Sequence, residues 1–106
     1  MKKVVFIGAS RRRIKEFPEI ACDLAGYQIW LVQQDKDPDD WKPMPSIGQG
    51  VKEIRIHQPH EHRVIYIAHS DEAVYILHAF EKKTQKTSKQ DVNIARIAYA
   101  KIKKNR

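Results

Sequence analysis

The densest set of chemically competent side chains lies between Glu53 and Lys89. Arg55 and His57 alternate with Glu53 along one polar face. Arg63 opens the next apolar run. Tyr66 follows three residues later and so faces away from Arg63 in a regular strand. His78 lies near the end of a third run, on the face of Val74, Ile76 and Phe80. Lys82, Lys83, Lys86 and Lys89 come next. Antiparallel strands sit about 4.8 Å apart, so two guanidinium groups, an imidazole and several ammonium groups can share one concave face. RNA cleavage calls for such groups. The ribose 2′-OH must lose a proton, the leaving 5′-oxygen must gain one, and the phosphorane between them carries extra negative charge. Arginine holds phosphate oxygens in pairs, histidine serves as acid or base near neutrality, and an aromatic ring can stack on a base. Cations alone can stabilise the charge, so no metal is required. A charged sheet face that is merely solvated fits the same pattern.

The charge balance narrows the partners. Twenty Lys and Arg stand against thirteen Asp and Glu, a net charge of +7. Such a surface attracts RNA, DNA, an acidic protein or anionic lipid. Cys22 is the only cysteine, so no intrachain disulfide can form, and a reducing compartment suits the chain. Its helical setting makes it a core filler rather than a nucleophile. The apolar run Val4–Ile7 is shorter than the roughly seven residues of a signal core, and no apolar run approaches about 18 residues. A cytoplasmic location and no membrane partner are therefore expected.

Other constellations resolve to structure. Gly8-Ala9-Ser10 lacks the lysine of a phosphate loop, which removes a nucleotide site. His57, His60 and His62 flank a turn at Pro59 without a cysteine or a second carboxylate group beside them, so neither metal nor cofactor is expected. Arg11–Arg13 fits a solvated helix face better than an RNA patch. Tyr99 falls on an apolar helical stripe and reads as core.

The 106 residues amount to one domain, 1–106, with one modest core. Lys3–Ile7 reads as a strand ending at Gly8. Ser10 is placed to cap a helix from Arg11, and Pro18 to open a second, so Ser10–Gln34 forms two helices at a corner or one kinked helix. Ile20, Leu24, Tyr27 and Leu31 supply the core stripe. Asp35–Gly50, with three prolines and two glycines, reads as an irregular connection anchored by Trp41. Val51–His57, His62–Ala68 and Ala73–Phe80 are strands with short turns, at Gln58–Glu61 and Ser70–Glu72, and hence an antiparallel meander. The last two are apolar on both faces and central. Glu81–Thr87 is a lysine-rich loop. Ser88 and Asp91 form a capping box for a helix with Val92, Ala95, Tyr99 and Ile102 on its core face. Lys101, Lys103, Lys104 and Arg106 place cations at its C-terminal end. The order is β-αα-βββ-α, an α+β fold with helices packed on one sheet.

The run from Val74 to Thr87, VYILHAFEKKTQKT, resembles the signature of phage-derived, HigB-like members of the RelE/ParE superfamily of toxin–antitoxin toxins. Asp40–Gly48, Glu53–Ile56 and Arg63–Tyr66 fit the same subgroup, so the resemblance covers nearly the whole chain. It implies a RelE-like fold and the toxin of a type II system. It also implies a metal-independent endoribonuclease (mRNA interferase) acting on messenger RNA, usually on the ribosome. A neighbouring antitoxin, with a helix-turn-helix domain, would be its partner. On this resemblance Arg63 falls at a phosphate-contacting arginine, Arg55 near a basic position of the preceding strand, and Lys82 and Lys83 near a basic pair after the last strand. His78 has no fixed counterpart and is the candidate acid or base. Tyr66 would position a base, while Lys86 and Lys89 would steer RNA. His62 stands where an aromatic often precedes the arginine. Two rivals remain: a ParE-like toxin acting on DNA gyrase, and a non-catalytic nucleic-acid-binding module.

Overall fold

The three alternating runs become consecutive antiparallel strands, and two further strands extend them. The structure, a computed structural model, describes residues 1–69 and 72–104, the last without its side chain. The elements are β1 (Lys3–Phe6), α1 (Ser10–Lys15), α2 (Glu19–Gln33), β2 (Trp41–Pro43), β3 (Lys52–Ile56), β4 (His62–His69), β5 (Ala73–Glu81) and α3 (Lys89–Lys104). They build one five-stranded sheet in the order β1-β5-β4-β3-β2. The β3-β4-β5 meander is antiparallel, and β1 joins its edge parallel to β5. The expected α+β fold is present. The strand β2 lies inside the stretch read as irregular, where Trp41 pairs with Ile54 and Lys42 with Glu53. Trp41 is half-buried, with the Lys52 ammonium 4.2 Å from its ring centroid. In the turn before β5, Ser70 and Asp71 lie outside the described residues, as does Arg106 at the chain end.

The sheet separates two apolar clusters. Beneath α1 and α2, Ile14, Ala21, Ala25, Ile29 and Val32 pack on Ile54, Ile56, Val64, Tyr66, Val74 and Ile76. Beneath α3, Ala95, Ala98 and Ile102 pack on Val51, Ile65, Ile67, Leu77 and Phe80. Val92 and Tyr99 join them, giving the core stripe expected of α3. Gly48 lies against the Tyr99 ring, where a Cβ would come within 2.5 Å, so this turn has no room for a side chain.

Two local readings need correction. The core stripe of α2 is only partly Ile20, Leu24, Tyr27 and Leu31, of which Leu31 is buried and Leu24 packs against the cluster. Ala21, Ala25, Ile29 and Val32 face the sheet, while Ile20 and Tyr27 are 54% and 50% exposed. Ala21 and Ala25 let the helix approach the strands closely, and Ile20, Tyr27 and Trp30 are left pointing outward. Nor does Ser10 cap α1. The N-cap is Ala9 without a side-chain bond, and the Ser10 hydroxyl donates to the Ile76 carbonyl at 3.1 Å, tying α1 to β5.

Candidate functional site

Register carries the polar side chains onto the α3 face of the sheet. Lys42 is opposite Glu53 and Arg55 is opposite Arg63. Arg63 is in turn opposite Phe80, and Ile65 is opposite both Glu53 and His78. Side chains of directly paired residues lie on the same face, so Lys42, Glu53, Arg55 and Arg63 share one, at the end of the sheet where β5 runs out into Lys82.

Arg63 is the centre of this cluster and is 2% exposed. Its Nη2 donates to Glu61 Oε1 at 2.8 Å, and its Nη1 donates to the His62 carbonyl at 3.0 Å. Its Nε lies 3.6 Å from Oε1 of Glu53, a carboxylate with no exposed surface. Thr87 donates to the other oxygen of Glu53 at 3.3 Å, closing the lysine loop over the pair. This buried carboxylate offsets the charge of the buried Arg63 guanidinium. The Nε atoms of Arg55 and Arg63 and the Oε1 of Glu53 are nevertheless buried without a hydrogen-bond partner. Arg63 Nε and Glu53 Oε1 face each other at ion-pair distance, and all three atoms are closed to solvent.

Lys82 completes the cluster. Its backbone amide bonds the Glu61 carbonyl at 2.8 Å. Burial, then the nearby Arg63 charge, pulls its ammonium below the ordinary lysine range; Lys42 and Arg55 act in the same direction and Glu53 opposes them. Lys83, Lys86 and Lys89 are exposed along the loop and the first turn of α3. Beside them a cavity of about 210 Å³ is lined by Phe80, Lys82, Lys83, Thr84, Ser88 and Asp91.

The arm between β3 and β4 brings further titratable groups that the sequence reading left aside. His57 is bracketed by Asp40 Oδ2 at 2.6 Å and Glu61 Oε2 at 2.8 Å. Hydrogen bonds to Asp40 and then Glu61 raise its pKa. The bonds from His57 and Arg63 lower that of Glu61. A continuous chain, Asp40–His57–Glu61–Arg63, thus runs from solvent to the buried guanidinium. His60 and His62 stack on each other, with ring centroids 6.4 Å apart. His62 turns to the other side of the sheet, with its ring centroid 4.5 Å from that of Phe17.

Two candidate residues lie elsewhere. Tyr66 is 1% exposed in the cluster beneath α1 and α2, on the sheet face opposite Arg63, and burial raises its hydroxyl pKa. It presents no ring face on which a base can stack. His78 is 1% exposed and sits under α3. The β4–β5 register shifts at Ile65/Tyr66, so that Tyr66 pairs with Ile76 and Ile65 with His78. Leu77 is the extra residue. Such a bulge turns two successive side chains to one face, so His78 is carried away from the Val74 and Ile76 face and onto that of Phe80, with ring centroids 5.2 Å apart. His78 Nε2 bonds Asp91 Oδ1 at 2.8 Å, while Ser88 donates to Asp91 Oδ2 at 2.7 Å and accepts the Asp91 amide at 3.1 Å. The expected capping box is therefore also a strut from β5 to α3. Burial lowers the His78 pKa against the pull of Asp91, with Arg13 adding to the lowering.

The arrangement can hold a polyanion against Arg55, Lys42 and Lys82, with Arg63 behind them. The sequence signal for Glu53 was a carboxylate alternating with Arg55 on a strand. Lys42 had none, because β2 is short and rich in proline. No helix among the described residues is long and apolar enough to cross a membrane. No curated protein matches the chain. The family model described as Phage derived protein Gp49-like (DUF891) matches residues 12–100, a span that includes every strand of the meander and the whole cationic cluster. The chain belongs to this Gp49-like family, which is toxin-like and of RelE type.

Proposed function

We propose that the chain is the toxin of a type II toxin–antitoxin system, of the HigB-like subgroup, and cleaves messenger RNA without a metal ion, on the ribosome and in the cytoplasm. One observation carries this reading: Arg55 and Arg63 face each other on paired strands with Lys42 and Lys82 beside them, four cations against the two carboxylates Glu53 and Glu61. Lys82 and Arg55 are the cations that meet the phosphate, and their field is strongest where the phosphorane gathers charge. Arg63 engages it when Glu61 gives way. His57, whose pKa is raised by hydrogen bonds to Asp40 and Glu61, replaces buried His78 as the proton donor to the leaving oxygen. Lys83, Lys86 and Lys89 extend the RNA path.

The test is induction of the chain alone, followed by mapping of transcript ends, then cleavage by purified protein with and without ribosomes and chelator. Growth arrest with new transcript ends, and cleavage by the purified protein that survives chelator so long as any ribosomes present keep their structural magnesium, are the expected results. Intact transcripts with damaged or relaxed DNA would move the reading to a gyrase toxin.

The burial of Arg63 against two carboxylates favours one rival, a module that binds RNA without cutting it. Tight RNA binding by a chain that leaves every transcript end unchanged would select that rival.

A further inference from the structure

The outer face of α2 carries large side chains that the fold itself does not use. Ile20, Tyr27 and Trp30 are 54%, 50% and 45% exposed. They lie with Asp23 at spacings of three, four and three, which is one helical stripe. Tyr27 and Trp30 are already stacked, with centroids 6.0 Å apart. Solvent-facing aromatics of this kind are the residues that dominate protein interfaces. Gly26 lies on the same side of the helix, exposed, with nothing within 4 Å of a Cβ built on it. A mid-helix glycine weakens a helix relative to alanine, and no packing within the described residues asks for it. It leaves room for another backbone to approach.

Charge selects the occupant. Residues 19–40 hold six Asp and Glu against one Lys, a net of −5 in a chain of +7, so the remainder is +12. Asp35, Asp37 and Asp40 are paired with Lys2, Lys52 and His57. Among the described residues, Asp23 within the stripe and Glu19 beside it are in no ion pair. RNA is repelled by such a face. A second copy docking through the same face would bring Glu19 and Asp23 against their own counterparts, an unfavourable contact.

We propose that this face docks a protein partner through an amphipathic segment whose apolar residues cover Ile20, Tyr27 and Trp30 and whose Lys or Arg residues meet Glu19 and Asp23. The segment lies on the side of the sheet away from Arg55 and Arg63. The toxin reading enters only through the probe, which is the protein product of each adjacent open reading frame.

The full chain and each purified product are titrated by calorimetry. Three variants follow: Tyr27→Lys with Trp30→Lys, Glu19→Lys with Asp23→Lys, and Gly26→Leu. The last raises helix propensity, so it keeps the test intact if the lysine variants fold poorly. One product should bind, and each folded variant should weaken it at least tenfold while growth arrest is retained. Lys82→Ala should do the reverse. Loss of binding in the α2 variants of a chain that never cleaves RNA supports the interface and sinks the ribonuclease reading. Binding that all three variants leave unchanged overturns the interface, as does a bound segment that is acidic. Binding by neither product overturns it too, as does a homodimer in sedimentation that dissolves in the Tyr27/Trp30 variant.

Discussion

Arg55 and Arg63 stand directly opposite each other on β3 and β4, as partners in the antiparallel register. Like charges so placed repel. The fold tolerates them because Arg63 is neutralised by two carboxylates, buried Glu53 3.6 Å from its Nε and Glu61 closing from the solvent side at 2.8 Å. Arg63 is therefore a structural cation before it is anything else.

The first prediction follows from that burial. Arg63→Ala removes the charge partner of a fully buried carboxylate, a change that costs about 3–5 kcal/mol. Urea unfolding should show this loss. Replacing both partners, Glu53→Met with Arg63→Met, should restore most of it, because the uncompensated charge is gone. If Arg63 also serves the phosphate, the double variant stays inactive despite its stability. An Arg63→Ala chain with an unchanged unfolding midpoint would deny the buried pair any structural weight.

Lys82 separates chemistry from folding more cleanly, since it is partly exposed at the end of the sheet. Lys82→Ala should leave the unfolding midpoint nearly unchanged and slow single-turnover cleavage by about 100-fold, the scale of one lost oxyanion-stabilising donor. Its ammonium is depressed by burial and by Arg63. The proton therefore leaves at a lower pH than from a free lysine, and activity that needs the cation falls as pH rises through that lowered pKa. Lys82→Arg, charged throughout, should move this alkaline fall upward. An alkaline limb unaltered in Lys82→Arg would assign it to another group.

Much of this fold could be read from periodicity. The three meander strands and the α3 stripe follow from apolar alternation and 3.6-residue spacing, signals that survive without tertiary detail. The α2 stripe could not be read the same way. Ile20 and Tyr27 outweigh Ala21 and Ala25 in hydrophobicity, yet the close helix–sheet approach selects the small residues. At the candidate site, residue type and spacing found Arg55, Arg63 and Lys82. The displacement of His78 depends on one extra residue in β5, and a bulge leaves no compositional mark. The role of Glu61 was hidden for another reason: a carboxylate in a turn is ordinary until its distance to Arg63 is known.

The arm at His57 predicts a pH-dependent stability. Its imidazole pKa is raised by hydrogen bonds to Asp40 and then Glu61. A raised folded pKa stabilises the fold below the unfolded value, and that stabilisation is lost as pH rises through the folded value. Glu61 is lowered by His57 and Arg63, so its contribution is present above its unfolded pKa and lost as pH falls through the folded one. The arm is therefore tightest at mildly acidic pH. Because the groups are partly exposed, the effect is small and screened by salt. Thermal midpoints measured across that range should decline toward alkaline pH, and His57→Gln should flatten the decline. A His57→Gln profile parallel to the parent's would remove the arm as its source.

The exposed lysines lead to the last prediction, which separates steering from chemistry. Lys86 lies in the loop after β5, and Lys89 opens α3. Neither shares the buried Glu53–Arg63 pair. At the surface, each acts on RNA through long-range attraction and counterion release, so each should contribute about 0.7 to the slope of log binding constant against log salt on single strands. The Lys86→Ala, Lys89→Ala double variant should weaken binding at low salt and flatten that slope by about 1.4. At saturating enzyme its single-turnover cleavage should match the parent rate, because a charge that acts equally on ground state and transition state changes affinity and not turnover. Lys82→Ala should give the opposite pattern. If the double variant instead cuts slowly at saturation with an unchanged salt slope, the lysine loop carries the chemistry. The reactive phosphate would then lie over the cavity lined by Lys83, Thr84 and Ser88 instead of over Arg55.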